Sequence, residues 1–302
     1  MHPPKTRGFM RVEWPTFLLI CATYGALAAC LFWLPEISLT LAILALIPVV
    51  ALHSSLQHEV THGHPFAERR LGEILVFPSL NLVIPYLRFR DTHLAHHMDA
   101  TLTDPYDDPE SNYLDPAVWA RLPRPVQWLL NANNTLLGRM ILGPVIGQVA
   151  FMAADLRAIR AGDRAVLRGW LWHLPAAAAI VGLVLTSDMP LWAYVLGCYG
   201  GLAVLKIRTF LEHQAHERAR GRTVIIEDRG PLAFLFLNNN LHVVHHMHPK
   251  LPWYRLPRIY FPNRDKYLGR NAGYRYDSYA QIFRRHLLRA KDPVPHPLYP
   301  QK

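Results

Sequence analysis

Cysteine is scarce. Only Cys21, Cys30 and Cys198 occur in 302 residues, an odd number, and all three lie inside long apolar runs. A disulfide framework is therefore excluded, and packing is the role left to these thiols. Charge is scarce too, at 18% of residues against 51% apolar, so material for a buried interior is ample. Acidic residues are the rarer sign, 22 against 32 basic, which leaves a formal charge of +10. Internal repeats and low-complexity tracts are lacking.

The apolar residues are concentrated instead of spread. FLLICATYGALAACLFWL and ISLTLAILALIPVVAL near the start, and WLWHLPAAAAIVGLVLT and LWAYVLGCYGGLAVL much later, hold no charge. At about 1.5 Å per residue, eighteen helical residues cover roughly 27 Å, close to the hydrocarbon thickness of a bilayer. The pattern predicts four membrane spans, at about 17–34, 37–57, 170–186 and 190–210. Short connectors, Pro35-Glu36 and Ser187 to Pro190, make each pair a helical hairpin and put everything else on one side. The connectors lack Lys and Arg, whereas Lys5, Arg7, Arg11, the middle segment and the tail carry them. The positive-inside rule then turns 58–169 and 211–302 to the cytoplasm, as expected of a multi-pass protein of the cell inner membrane. The first run has no small-residue cleavage pattern and leads directly into another span, so it reads as an anchor. The expectation is one all-α integral membrane domain over 1–302, with a cytoplasmic helical cap on the four spans.

From Lys206 onward eighteen Lys/Arg face seven Asp/Glu. Beside four spans, such a surface suits anionic lipid headgroups or an acidic electron carrier, and nucleic acid is not expected as a partner. Leu71 to Leu87 is apolar but broken by Pro78 and Asn81, as in a re-entrant or interface-lying segment. Leu136 to Ala154, which carries Arg139 and Gln148, reads as a helix lying flat among headgroups. The proline-rich DPVPHPLYPQK reads as an extended tail.

The strongest signal is the grouping of the 17 histidines. HEVTH (His58, His62) follows the second span, HLAHH gives His93, His96 and His97, and HVVHH gives His242, His245 and His246. Spacings of three and four residues put side chains on one helical face. His213, just past the fourth span, arrives on the same side, with His216 close enough to compete. HEVTH also fits a zinc-protease pattern, in which Glu59 would activate water. Nine imidazoles, however, exceed the four ligands that satisfy one zinc. They suit two ions of higher coordination number, and imidazole with open positions for dioxygen points to iron, copper and zinc remaining chemically possible.

With these motifs, the chain resembles the membrane fatty acid desaturase superfamily over roughly Ser38 to Leu256. The resemblance implies a di-iron centre held by His58, His62, His93, His96, His97, His213, His242, His245 and His246, with two iron ions as cofactor and dioxygen as co-substrate. HHMHPKLPWYRLP (His245 to Pro257) is similar to the matching part of bacterial carotenoid ketolases, which insert oxygen where desaturases remove hydrogen. Some relatives carry a fused cytochrome-type haem domain that this sequence lacks, so electrons would come from a separate donor, a ferredoxin or similar protein. Breaking an unactivated C–H bond needs a stronger oxidant than any side chain, which leaves positioning to the protein.

Glu59, Asp91 and Glu212 stand close to ligands and are expected to orient their imidazoles. Asn238 precedes His242 by four residues and is expected to hold a metal-bound water if the segment is helical; a turn role is the alternative. TDPYDDPESNYLDP after the second box offers carboxylates but reads by default as a solvated loop. His64 is either a donor to the site or the polar end of a helix, and Trp170, Trp172, Tyr194 and Tyr199 read as an aromatic belt. The function expected is oxygen-dependent desaturation of a fatty acyl chain or related lipid, with hydroxylation or ketolation of a lipid, carotenoid or small amphiphile as the alternative. A membrane zinc protease explains only five residues. A metal transporter would place ligands in mid-membrane, where only His173 comes near.

Overall fold

A computed structural model of the chain describes residues 12–98 and 100–299; Lys5, Arg7 and Arg11, invoked above for orientation, lie outside them. The chain is all-α, and the only sheet among the described residues is a parallel pair of two-residue strands, β1 (Ile225–Ile226) and β2 (Arg275–Tyr276). The first hairpin is α1 (Trp14–Phe32), one turn of helix α2 (Leu34–Ile37) and α3 (Leu39–Thr61). Ser38 starts α3 by turning extended and accepting the Leu41 amide on Oγ at 3.3 Å, which satisfies one of the amides a helix start leaves open. Short α4 (Arg69–Val76) and α5 (Tyr86–His96) follow, then α6 (Pro116–Arg121), α7 (Arg124–Asn133) and the 25-residue α8 (Leu136–Arg160). The second hairpin is α9 (Arg164–Leu185) and α10 (Leu191–Thr209). The cap is completed by α11 (Pro231–Leu235), α12 (His242–Met247), α13 (Leu256–Tyr260), α14 (Arg264–Arg270) and α15 (Tyr279–His286).

The two hairpins meet where α10 lies on α3. Gly197, Gly200 and Gly201 face Leu46, Ile47 and Val50, and a Cβ on any of the three would come within 2.6–2.7 Å of those side chains. Small residues are what allow helix backbones to approach this closely. Leu27, Leu46, Val50, Val184 and Tyr194 share the resulting core with Leu80, which belongs to neither hairpin. Leu80 lies in an irregular loop between α4 and α5 that packs into this core. Its polar groups are satisfied from outside the loop: Gln57 donates to Val76 O and Ser79 Oγ at 2.9 Å, and Tyr194 donates to Leu80 O at 2.8 Å. Irregular backbone within an apolar bundle persists only when protein satisfies it in this way.

Among the described residues, 14–37, 39–61, 136–160 and 164–185 are long and apolar enough to cross a membrane. This differs from the sequence expectation at two helices. In α10, Lys206 and Arg208 in the last turns dilute the apolar content. In α8 the two polar residues that suggested a flat helix are engaged by protein: Arg139 is buried and bonds Asn112, Asn133 and Asn134, and Gln148 donates to Val83 O. The exposed stripe Leu137, Ile141, Val145, Val149, Met152 and Leu156 is wholly apolar. One further expectation is refined and one corrected. The extended tail is tied down up to residue 299, since Leu114 pairs with the Val294–His296 backbone and Val294 and His296 are buried. Tyr194 is fully buried in the core, not part of a belt.

Candidate metal centre

Three helices end at one point. His58 lies in the last turn of α3 and His62 caps it, His93 and His96 lie in α5 with His97 as its cap, and α12 carries His242, His245 and His246. His213 follows α10, held by a backbone bridge to Thr223. The donor atoms sort into two groups, each with all atoms within 4.8 Å of one another: His58, His62, His93, His97 and His245, and His96, His213, His242 and His246. Within the first, Nε2 of His93 lies 3.1 Å from that of His62 and 3.0 Å from that of His97, which lies 3.2 Å from that of His245. In the second, His213 Nε2 lies 2.8 Å from His96 Nε2 and 3.1 Å from His242 Nε2. The groups adjoin, with the His97 and His246 rings stacked at 4.4 Å.

This donor set fits cations. Neutral imidazoles turned Nε2 to Nε2 oppose lone pairs, and most such contacts lack a proton to share unless a cation lies between them. His58 Nε2 is buried with no hydrogen-bond partner. Burial, then the neighbouring rings, hold His213, His242 and His245 well below the usual histidine pKa, so they stay neutral. His96 differs: burial opposes its protonation, but Glu110 and Asp108 outweigh it and lift its pKa to about 9.

The outward nitrogens are fixed by partners. His96 Nδ1 meets Asp108 Oδ1 at 2.8 Å, His93 Nδ1 meets Glu110 Oε1 at 3.2 Å, His242 Nδ1 meets Asn239 Oδ1 at 3.1 Å, and His213 Nδ1 meets Thr223 Oγ1 at 3.4 Å. Such contacts leave Nε2 as the metal-facing nitrogen. Burial raises the Glu110 pKa, but the nearby His96 and His93 lower it more, which keeps Glu110 ionised.

The supporting residues expected from the sequence fall differently. Glu212 acts at one remove, pairing with Arg208 at 3.0 Å and accepting from Asn239 at 2.9 Å. Asp91 turns to Arg90, and Glu110 and Asp108 stand at the second box in its place. Asn238 donates to Trp253 O, and its neighbour Asn239 takes the His242 contact. Leu237 and Asn238 have φ of 50° and 55°, so the helical spacing assumed for Asn238 does not exist. Glu59 accepts the Trp253 amide at 2.9 Å and lies 3.8 Å from His64, which pairs with Glu13 at 3.0 Å. His216 bonds the Arg218 backbone, leaving His213 as the residue that reaches the centre. His173 bonds Leu82 O in the loop between α4 and α5.

The sequence profile of the fatty acid desaturase family matches residues 31–278. Two curated relatives are beta-carotene ketolases from Paracoccus sp. strains. One is 27% identical over 69% of this chain and 71% of its own length, the other 27% identical over 80% of this chain and 83% of its own.

Proposed function

Because the chain belongs to the fatty acid desaturase family, we propose that it is an oxygen-dependent di-iron oxidase that inserts oxygen at an unactivated C–H bond of a long, lipid-soluble substrate. The observation that carries this is the convergence of nine imidazoles in adjoining groups of five and four. Oxygen insertion is preferred because both curated relatives are ketolases and between them align with most of the chain. Desaturation of an acyl chain is the second reading, favoured by the family's description.

Two bound irons would supply, with dioxygen and electrons, the oxidising power that side chains lack. The first group would hold one ion and the second the other. Asp108, Glu110, Asn239 and Thr223 fix ring orientation, so that Nε2 of His93, His213 and His242 keeps its lone pair inward, while His96 would give up its proton on binding an ion. The Arg208–Glu212–Asn239 chain orients His242 through three contacts in series, and Lys291 binds the carbonyl of His213. Burial of Asp108, Thr223, Glu212 and Asn239 limits their exchange with water. The apolar flanks of α1, α8 and α9 give a membrane-dissolved substrate a route through lipid.

Inserting one oxygen atom consumes one dioxygen, two electrons and two protons and releases one water; forming a double bond with the same reagents releases two waters. Electrons therefore come from a separate carrier. Arg220, Lys266 and Arg270 border a pocket beside Met247, the residue after His246, a basic surface suited to an acidic donor on the cytoplasmic face of the inner membrane. Expression in a host of defined lipid and carotenoid content, followed by mass spectrometry, tests the reaction. A gain of oxygen supports insertion, whereas loss of two hydrogens replaces it by desaturation.

A further inference from the structure

The two histidine groups are unequal, five against four, and a carboxylate lies beside the smaller one. Glu110 reaches both: Oε1 lies 3.2 Å from the outward Nδ1 of His93, and Oε2 lies 3.8 Å from Nε2 of His96, the nitrogen that faces His213. We propose that Glu110 is the fifth donor of the group formed by His96, His213, His242 and His246, a carboxylate that joins the two halves of the centre. The proposal rests on the two-ion reading above.

Two donors each about 2.1 Å from one ion lie roughly 3 Å apart at a right angle and roughly 4.2 Å apart when opposite. The 3.8 Å between Glu110 Oε2 and His96 Nε2 falls between these limits; the oxygen lies outside the 4.8 Å grouping of the four imidazoles, so ligation requires the Glu110 side chain to turn further inward. The loop is built to hold Glu110 there. Asp108 Oδ1 accepts the Glu110 amide at 2.9 Å, Asp108 Oδ2 accepts the Thr103 amide at 2.9 Å, and the Ser111 amide bonds Asp108 O at 3.1 Å. Next along the loop, Asn112 accepts from buried Arg139. A solvated loop needs none of these ties. An oxygen donor among imidazoles also suits iron, and its charge offsets part of the charge brought in by the ions.

Glu110→Gln separates this role from simple support of His93, because the amide carbonyl still accepts from His93 Nδ1 while the anionic oxygen is lost. Wild type and variant, purified in detergent and loaded anaerobically with ferrous iron, are compared by ions per chain, chelator competition and Mössbauer spectra. The variant is expected to bind one ion as wild type does and the other more than about 100-fold more weakly, beyond the roughly 10–100-fold that loss of an outer partner costs. One of two iron signals should change. Two ions retained within about tenfold, or both weakened alike, overturn the proposal and leave Glu110 as an acceptor for His93. If the variant does not fold, infrared difference spectra of the wild type with and without metal read the same point: a carboxylate band should move on loading, and its absence overturns the assignment. Wild type that takes up fewer than two ions overturns both this proposal and the reading beneath it, and shows this before any variant is made.

Discussion

Asp108 is the residue whose loss the structure makes most expensive. Its side chain and that of His96 are each 1% exposed, 2.8 Å apart, and its carboxylate also takes the amides of Glu110 and Thr103. Removing one partner of a buried ion pair costs up to about 3–5 kcal/mol when the other is left uncompensated, and Glu110, 3.8 Å from His96, offsets part of that loss. Asp108→Ala in addition strands two backbone amides, each worth about 1–3 kcal/mol when buried without an acceptor. The variant should therefore melt well below wild type even without metal. Asp108→Asn is the finer probe, keeping the shape but weakening the contact to His96, and its iron affinity should fall by about 10–100-fold. Chelator competition and thermal melting of the detergent-solubilised protein read both effects. Either variant with wild-type melting and wild-type iron affinity would refute the argument that this loop supports the centre.

Other predictions follow from the same contacts. His213→Ala should lose one bound ion, whereas His216→Ala should keep both, as counted by elemental analysis; equal loss would return His216 to candidacy. Gly201→Val would drive a side chain into Val50, so it should destabilise the α3–α10 contact by about 1–3 kcal/mol, seen as a lower melting temperature. Burial opposes ionisation of Glu227, but hydrogen bonds from Arg264, Tyr260 and Arg275 outweigh it and hold its pKa at about 2. A depressed carboxylate stabilises above its unfolded value near 4.5 and loses that contribution as pH falls to about 2. Wild type should exceed Glu227→Gln in stability at neutral pH, with the gap closing across that window; a gap independent of pH would contradict the pairing.

The histidine clusters were legible in the sequence because their spacing is one that a helix turns to a single face: all three boxes lie on or at the end of a helix, at three- and four-residue intervals. The break in the apolar segment 71–87 was legible through Pro78 and Asn81, whose irregular backbone demands a protein setting. Asp108 and Glu110 were visible only as members of the acidic loop TDPYDDPESNYLDP, read by default as solvated, since they lie 12 and 17 residues from the histidines they touch, across a loop whose path no periodicity fixes. Asn239 was missed for Asn238 because two left-handed residues break the assumed helix. The character of α8 was hidden by Arg139 and Gln148, which read as solvent-facing until their protein partners are seen.

The central claim is that the two groups of histidines hold two irons. Elemental analysis of the purified, membrane-extracted chain tests it most directly: two irons per chain are predicted, and one zinc per chain with no iron would contradict the account.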